Sequence, residues 1–523
     1  MAGTNERAEL HKTIWRAANE LRGAVDGWDF KQYMLGFLFY RFISENLTSY
    51  INQQEHQAGN TDFDYASVSD DAVKSAVGMR DEVIKDKGFF IYPSQLFVNV
   101  RQRADKDPDL NQTLSQIFDA IEGSAKGTDS ERDMAGLFDD VDLDNSRLGR
   151  TVSDRNDKLV KILNTIGDLP LGDYRENQID AFGDAYEYLI NMYASNAGKS
   201  GGEFFTPQEV GELLARIVIG DKKQVNKVYD PACGSGGLLL KFAKILGKDN
   251  VLNGYYGQDS NPTIYNLARY NMFLHDINFS KFNIAYGDTL INPQHWDDEP
   301  FDAIVSNPPY SVKWEGDANP VLINDQRFSP AGVLAPKSKA DLAFTMHMLS
   351  WLSTEGVAAI VEFPGVLYRG GAEKKIRKYL VDNNYVDAVI QLPDNLFFGT
   401  SIATCILVLK KSKQDNSVLY IDASRQFIHE GNKNKLNEDN IKYIVGLYRN
   451  RQDKDYESKL VSNKDIADND YNMAVTSYVE KEDTREKIDI HELNKQIAEV
   501  VAREQELRNQ IDQIVAELEG DNE

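Results

Sequence analysis

The stretch FDAIVSNPPY, residues 301–310, decides how the rest of the chain is read. Its first five residues form a short apolar run, the length of one buried strand. Asn307-Pro308-Pro309-Tyr310 then stops it. Adjacent prolines donate no ladder hydrogen bonds and fix φ, and each restricts the residue before it to extended backbone. The pattern predicts a strand that ends in a stiff loop, and a stiff loop in that place usually holds something still.

Working outward, the same kind of apolar run recurs as KVYDPA (227–232), YYGQDS (255–260), FNIAYGD (282–288), VAAIVEFP (357–364), VDAVIQLP (386–393) and TCILVLKK (404–411). Helix-like segments at 237–247, 261–275, 339–354 and 371–382 separate most of them. Strands alternating with helices predict an α/β fold with a doubly wound, Rossmann-like sheet over residues 169–475. Such sheets bind ligands beyond the carboxyl ends of their strands, where SNPPY and three other polar clusters fall.

The first cluster is DPACGSGGLLL, residues 230–240. Gly234, Gly236 and Gly237 let the backbone approach a ligand closely and reach positive φ, and an apolar helix follows at once. A dinucleotide site would carry G-x-G-x-x-G. Here the third glycine is missing and Asp230 precedes the turn. An acid in that place repels phosphate and favours a sulfonium or ammonium, which points to a cationic nucleoside, S-adenosylmethionine; an unliganded turn is the alternative. Asp259 ends the next strand, about 20 residues on, where an acid can take both ribose hydroxyls. Asp288 ends the third strand, placed for the adenine edge. Either acid alone also fits a helix cap.

In SNPPY, the Asn307 side-chain oxygen and the Pro308 carbonyl are two acceptors held rigidly together. Taking both N–H bonds of an aromatic amine, they would let its nitrogen become more tetrahedral as it attacks a methyl group, by positioning and by stabilising developing charge. Tyr310 offers a π-face to a base swung out of a duplex. Before the first strand, GGEFFTPQEV (201–210) puts Phe204, Phe205, Thr206 and Pro207 across the mouth of the same pocket; it also reads as a helix start, with Thr206 as N-cap, Pro207 at N1 and Glu209 in support.

A chain of 523 residues is too long for one core. Residues 1–168 predict a helical domain, with Leu10, Ile14, Ala17, Ala18 and Leu21 on one helical face and a more fully buried helix from Trp28. DVDLDNSRLGRT (140–151) resembles a calcium loop at its first, third and fifth positions, but Asn145 and Thr151 replace the turn glycine and final Glu, so it reads as an acidic loop. Residues 476–523 predict a helical tail. Ile490, Leu493, Ile497, Val500, Leu507, Ile511, Ile514 and Leu518 follow a heptad seam broken once at Glu504, which favours a coiled-coil contact with another chain over packing on its own domain.

The longest apolar run, Tyr33–Ile43, contains Arg41 and is far too short to span a bilayer. Residues 1–10 have no apolar signal region, and two cysteines make no disulfide framework; together these suggest the cytoplasm and no membrane. Seven histidines without ligand spacing predict no metal site. A net charge of −24 argues against nucleic-acid binding by the chain as a whole. Locally, Ser311–Lys378 carries nine Lys/Arg against seven Asp/Glu, as suited to an ordinary surface as to a DNA-facing one.

DPACGSGG followed by NPPY resembles amino-methyltransferases of the N6-adenine DNA type. With WDFKQYMLGFLFYRFISENL, FGDAYEYLI, NAGKSGGEFFTPQEV, SNPPYSVKW, GVLAPKSKADLAF, FPGVLYRGGAEKKIRKYL and LFFGTSIATCILVLKK, nearly the whole chain is similar to the modification (M) subunit of Type I restriction-modification enzymes, closest to the IC subgroup. The resemblance implies an S-adenosylmethionine-dependent, adenine-specific DNA methyltransferase whose target is read by a separate specificity (S) subunit in an M2S1 assembly, joined by a restriction (R) subunit for cleavage. It implies that Glu203 to Gln208 (Phe204, Phe205, Thr206 and Pro207 between them), with Ser235, Gly236 and Gly237, hold the cofactor, with Asp259 on the ribose. Asn307, Pro308 and Tyr310 would face the adenine, with Phe397 or Phe398 as a second aromatic wall and the tail packing on the S subunit's helices. Cys233 departs from the small residue expected there and reads as a buried stand-in. The rivals are a cytosine-N4, glutamine or RNA methyltransferase and a non-catalytic cofactor sensor; cytosine enzymes more often carry Ser at the Asn307 position, and a sensor needs neither Asn307 nor Tyr310.

Overall fold

The computed structural model describes residues 9–16, 30–171, 181–196, 206–397, 400–481 and 490–520. They belong to two compact units, Met1–Val479 and Glu480–Glu523.

The first unit is built on a nine-stranded sheet. Its strands are β1 (Val228–Asp230), β2 (Tyr255–Asp259), β3 (Phe282–Tyr286), β4 (Phe301–Ser306), β5 (Leu352–Glu362), β6 (Val386–Gln391), β7 (Cys405–Lys410) and β8 (Ser417–Asp422); a small hairpin of β9 (Ile428–Glu430) and β10 (Lys433–Lys435) precedes the ninth, β11 (Ser458–Ser462). The order is β11-β8-β6-β7-β5-β4-β1-β2-β3. The pairs from β3 across to β5 are parallel, β7 runs antiparallel between β5 and β6, and β11 is an antiparallel edge. The chain goes outward from β1 to β3 and then returns to β4 on the other side of β1, which creates the crevice where such sheets bind ligands.

Both sheet faces are covered, and the sequence shows why. Along β4, Ala303 and Val305 enter one core while Phe301 and Ile304 enter the other; along β5, Val357, Ala359 and Val361 oppose Ala358 and Ile360. Ala303 to Val305 and Val357 to Val361 are therefore apolar on both faces, and these stretches read as continuous runs rather than alternations. Helices Gln208–Ile219, Gly237–Leu246 and Pro262–Leu274 supply the first core, and Asp341–Trp351 and Gly371–Asp382 the second.

The seven strands and four helices expected from the sequence are all present. β8 to β11 were not expected. β9 is exposed and β10 polar, turning at Gly431 with φ +61°, and β11 is an edge strand with only Leu460 and Val461 apolar. None of the three carries the apolar period that marks a strand.

The N-terminal part is helical, with Phe30–Gln57 as its buried axis. Leu10 and Ile14 are buried as the helical pattern requires; Ala17, Ala18 and Leu21 lie outside the described residues. The Pro262–Leu274 helix joins this part to the sheet. Arg269 donates to the carbonyls of Arg132, Asp133 and Ala135, Tyr270 donates to Leu137 O at 2.6 Å, and the Tyr270 ring stacks on Phe39 at 4.3 Å. The acidic loop at 140–151 serves the same junction: Asp140 accepts from Thr263 Oγ1 and Asn266 Nδ2, and Asp144 from Asn111 Nδ2. No helix among the described residues is long and apolar enough to cross a membrane.

Gly257 on β2 lies under Cys233, where an added Cβ would sit 2.9 Å from the cysteine Cβ and 3.0 Å from Ile284 Cδ1. Cys233 is buried there, as expected of a stand-in for a small residue. Gly257→Ala should therefore destabilise the protein by about 1–3 kcal/mol through overpacking, read by chemical denaturation.

Candidate active site

β1 and β4 pair in parallel, Val228 opposite Ala303 and Tyr229 opposite Ile304, so their carboxyl ends emerge side by side. At that point Ser306 Oγ donates to Asp230 Oδ1 at 2.8 Å, and Ala232 N donates to the same oxygen at 3.0 Å. Asp230 is fully buried, and its Oδ2 has no partner among the described residues. Burial, reinforced by the nearby Asp259 charge, pushes its carboxyl up to about 7 against two hydrogen bonds that favour the ionised form.

The glycine turn that follows is left-handed at Gly234 (φ +53°) and Gly236 (φ +77°), and Gly236 leads into the Gly237–Leu246 helix. A Cβ on Gly236 would meet Met272 Cε at 3.1 Å. Asp259, at the end of β2, braces the turn: its Oδ2 accepts from Gly234 N at 3.1 Å and its Oδ1 from Asn261 N at 2.9 Å. Burial raises this carboxyl as well.

One cavity gathers Thr206, Pro207, Gln208, Asp230, Gly234, Ser235, Gly237 and Asn307. Gly236, Asp259, Asp288, Pro308 and Tyr310 stand outside its lining, although Asp259 reaches it through Gly234. Asp288 is exposed, and its Oδ1 accepts from Leu290 N at 2.9 Å. Glu203, Phe204, Phe205 and Phe398 lie outside the described residues.

The Asn307 amide is held from both ends. Its Nδ2 donates to Thr206 Oγ1 at 3.0 Å, and its Oδ1 accepts from Tyr310 OH at 2.6 Å. Thr206 is therefore not the N-cap expected from the sequence. The Gln208–Ile219 helix starts one residue later, with Pro207 in the cap position and no side-chain cap bond, which leaves the threonine hydroxyl to the amide. The Tyr310 ring meets Phe363 edge-on at 4.5 Å and Phe397 at 6.2 Å. Phe397 is buried against the tyrosine, and burial keeps the phenol protonated as a donor.

The lining also holds residues the sequence does not single out, Asn271 and Lys241 among them. Asn271 Nδ2 donates to Ser235 O at 2.8 Å, while its buried Oδ1 has no partner among the described residues. Lys241 is buried beside Gln208, to which its Nζ donates, and burial lowers its pKa. Both sit on helices, at positions that a helical pattern assigns to the core; only the tertiary fold turns them toward the cavity. The donor set suits S-adenosylmethionine. Asp230 Oδ2 and Asn271 Oδ1 are buried acceptors awaiting donors, Asp230 and Asp259 attract a cation, and the glycine turn leaves room for a close approach.

Residues 177–487 match the family described as N-6 DNA Methylase, and residues 10–166 match the HsdM N-terminal domain. The chain is 49% identical to the Type I restriction enzyme MpnII methylase subunit of Mycoplasma pneumoniae, over 99% of this chain and 98% of that one. It is 29% identical to the MjaVII methylase subunit of Methanocaldococcus jannaschii, over 98% of this chain and 84% of that one. Among solved structures, the type I restriction-modification methyltransferase subunit of Streptococcus thermophilus superposes with a TM-score of 0.81 at 34% identity, covering 91% of this chain and all of that one.

The raised Asp230 carboxyl carries a pH signature. Its folded pKa of about 7 exceeds the ordinary aspartate value of 3.8, so the folded state keeps a proton that the unfolded chain releases, and ligand-free stability falls as pH rises across that window. Asp230→Asn should leave the ligand-free protein at least as heat-stable as wild type at pH 8, with a smaller advantage at pH 5, by scanning calorimetry. The same variant should bind S-adenosylmethionine roughly ten- to hundredfold more weakly. Wild-type affinity should rise with pH towards about 7, and that of the variant should stay flat.

Proposed function

This chain belongs to the N-6 DNA methylase family, among its Type I restriction enzyme methylase subunits, and we propose that it transfers a methyl group from S-adenosylmethionine to adenine N6 in duplex DNA, at a site chosen by a separate specificity subunit. The observation that carries this reading is the place of the Asn307 amide. It lines the same cavity as Asp230 and the glycine turn, so an amine held by Asn307 faces whatever the turn holds.

S-adenosylmethionine supplies an electrophilic methyl group on a sulfonium. Asp230 and Asp259 favour that cation, and Gly234 to Gly237 let the backbone close around it, with Ser235 in the turn and Thr206 to Gln208 at its side. We assign Asp259 to the ribose, Asp288 to the adenine edge from its exposed strand end, and Glu203, Phe204 and Phe205 to the mouth. Asn307 Oδ1 and the Pro308 carbonyl accept the two N–H bonds of the target amine, so its lone pair turns toward the methyl group. Asn307 Oδ1 has two lone pairs; Tyr310 OH uses one and orients the amide, and the second remains for the amine. A nitrogen–carbon bond forms as the sulfur–carbon bond breaks, and the nitrogen then loses a proton to solvent. Tyr310, backed by Phe363 and Phe397, stacks on the base swung out of the duplex.

The division of labour follows the chain. Residues 1–168 form a helical part, 169–475 carry the transfer chemistry, and 476–523 bind the specificity subunit in an M2S1 assembly that a restriction subunit completes. The −24 net charge supports borrowed recognition, because a duplex-reading surface needs a basic footprint. In Ile490–Gly520, a 31-residue helix, the eight seam residues Ile490 to Leu518 are each between 43% and 68% exposed. An apolar seam of that exposure, broken only at Glu504, suits coiled-coil pairing with another chain's helices.

Calorimetry with S-adenosylmethionine on the isolated chain, then labelled transfer to duplex DNA with and without the specificity subunit, tests this reading. Binding alone with transfer only in the partner's presence is the expected result; activity confined to RNA or peptide refutes it. Asn307→Ala should abolish transfer and leave cofactor affinity within about twofold, because the lost contact is made to the base. Deleting residues 484–523 should leave cofactor affinity unchanged and abolish assembly, read by size-exclusion chromatography with light scattering.

A further inference from the structure

The NPPY loop does not end at Tyr310. Ser311 follows with φ +50°, a left-handed conformation that costs a non-glycine residue free energy. Ser311 is exposed, so packing of its own side chain does not impose that backbone. Its backbone is held instead: Ser311 N donates to Asp341 Oδ1 at 3.1 Å. Asp341 is 1% exposed, and its Oδ2 has no partner among the described residues. It opens the Asp341–Trp351 helix, where the N-terminal dipole favours a carboxylate. The adjoining backbone closes the same clasp, with Ala340 N donating to Val312 O at 2.9 Å and Trp314 N to Lys337 O at 3.0 Å.

A buried carboxylate with one oxygen unpartnered is a costly way to begin a helix. The cap position is Ala340 and no side chain caps this helix, so the aspartate is not there as a cap. Glu362, also buried, adds to the cost: burial, reinforced by the nearby Asp341, holds its carboxyl well above the usual range, and it keeps its proton while Thr345 Oγ1 donates to it at 2.8 Å. Phe363, the next residue, packs on Tyr310. The tyrosine is thus gripped on three sides: by Asn307 before it, by Phe363 across it, and by Ser311 behind it.

We propose that Asp341 is a positioning residue for methyl transfer, holding Ser311 in its left-handed conformation and thereby fixing the plane of Tyr310 and the aim of the Asn307 and Pro308 acceptors. The proposal rests on the transfer reading above and adds a residue outside the loop to its machinery. Asp341 touches neither cofactor nor base; it acts through one backbone N–H.

The test uses the full chain assembled with its specificity subunit. Asp341→Ala should lower kcat roughly ten- to hundredfold, as small misplacements of reacting groups do, with the calorimetric Kd for S-adenosylmethionine unchanged. Asp341→Asn keeps an acceptor oxygen and should retain most activity. Ser311→Gly, which adopts positive φ without strain, should restore much of the loss in the Asp341→Ala background. Ser311→Val leaves the core untouched and should lower kcat by itself, which covers the case of a misfolded Asp341→Ala. A spectroscopic readout is independent of turnover: 2-aminopurine at the target adenine should change fluorescence on binding wild type and lose that change with Asp341→Ala. Unchanged kcat and fluorescence in Asp341→Ala and Ser311→Val, or equal loss in the Ala and Asn variants without rescue by Ser311→Gly, would overturn the proposal. If wild type itself transfers no methyl group to DNA, the transfer reading falls first and takes this one with it.

Discussion

The hydrogen bond from Ser306 to Asp230 spans 76 positions of sequence, and the site depends on the strand order that permits it. Only because β4 returns beside β1 do the glycine turn and the NPPY loop leave the sheet as neighbours. Had β4 been added beyond β3, the cavity and the Asn307 amide would be two strands further apart, roughly 10 Å at ordinary strand spacing. Methyl transfer requires its reacting atoms within about 3–3.5 Å. The order of the sheet therefore precedes any particular side chain as a condition for chemistry.

Within that frame, rigidity is obtained by accepting local cost. Asp230 and Glu362 are buried acids with raised pKa values and an unpartnered oxygen each, and Ser311 is strained. Folding alone would favour neutral, fully bonded groups at each place. Their clustering at the carboxyl ends of β1, β4 and β5 is where stability would be given up for orientation. The cores on either face of the sheet, where Val, Ile, Leu and Ala fill consecutive positions of β4 to β7, contribute the burial that offsets it.

Much of this was legible in the sequence, and the limits have physical causes. The central strands announce themselves because burial on both faces demands unbroken apolar runs, and DPACGSGG and NPPY declare their turns through glycine and proline. β11 and the β9–β10 hairpin lack that demand, being at an edge or exposed, so their residues look like loop. The roles of Asn271, Lys241 and Asp341 were hidden for another reason. Each sits on a helix whose local pattern is satisfied without a function, and only the three-dimensional approach to Ser235, Gln208 and Ser311 shows what it touches. Of the two readings of Thr206, cavity mouth and helix cap, the cap is the one the structure departs from: a threonine before proline is a good cap in isolation, and the competing demand of the Asn307 amide cannot be seen locally.

The acidity of the chain sets a last constraint on how such a site can work. Nine Lys/Arg lie between Ser311 and Lys378, but Arg327, Arg369, Lys374 and Lys378 are engaged by Asp325, Glu373, Asp470 and Asp382. Cations already paired with carboxylates release few counterions from a duplex, and counterion release is the main source of non-specific DNA affinity. A loop as stiff as NPPY is useful only if the base arrives in register, since it cannot adapt to a misplaced one. Stiff chemistry on a chain this acidic gains from a second surface that brings the duplex and fixes its register. The apolar seam of the Ile490–Gly520 helix is the feature of this chain suited to recruiting one.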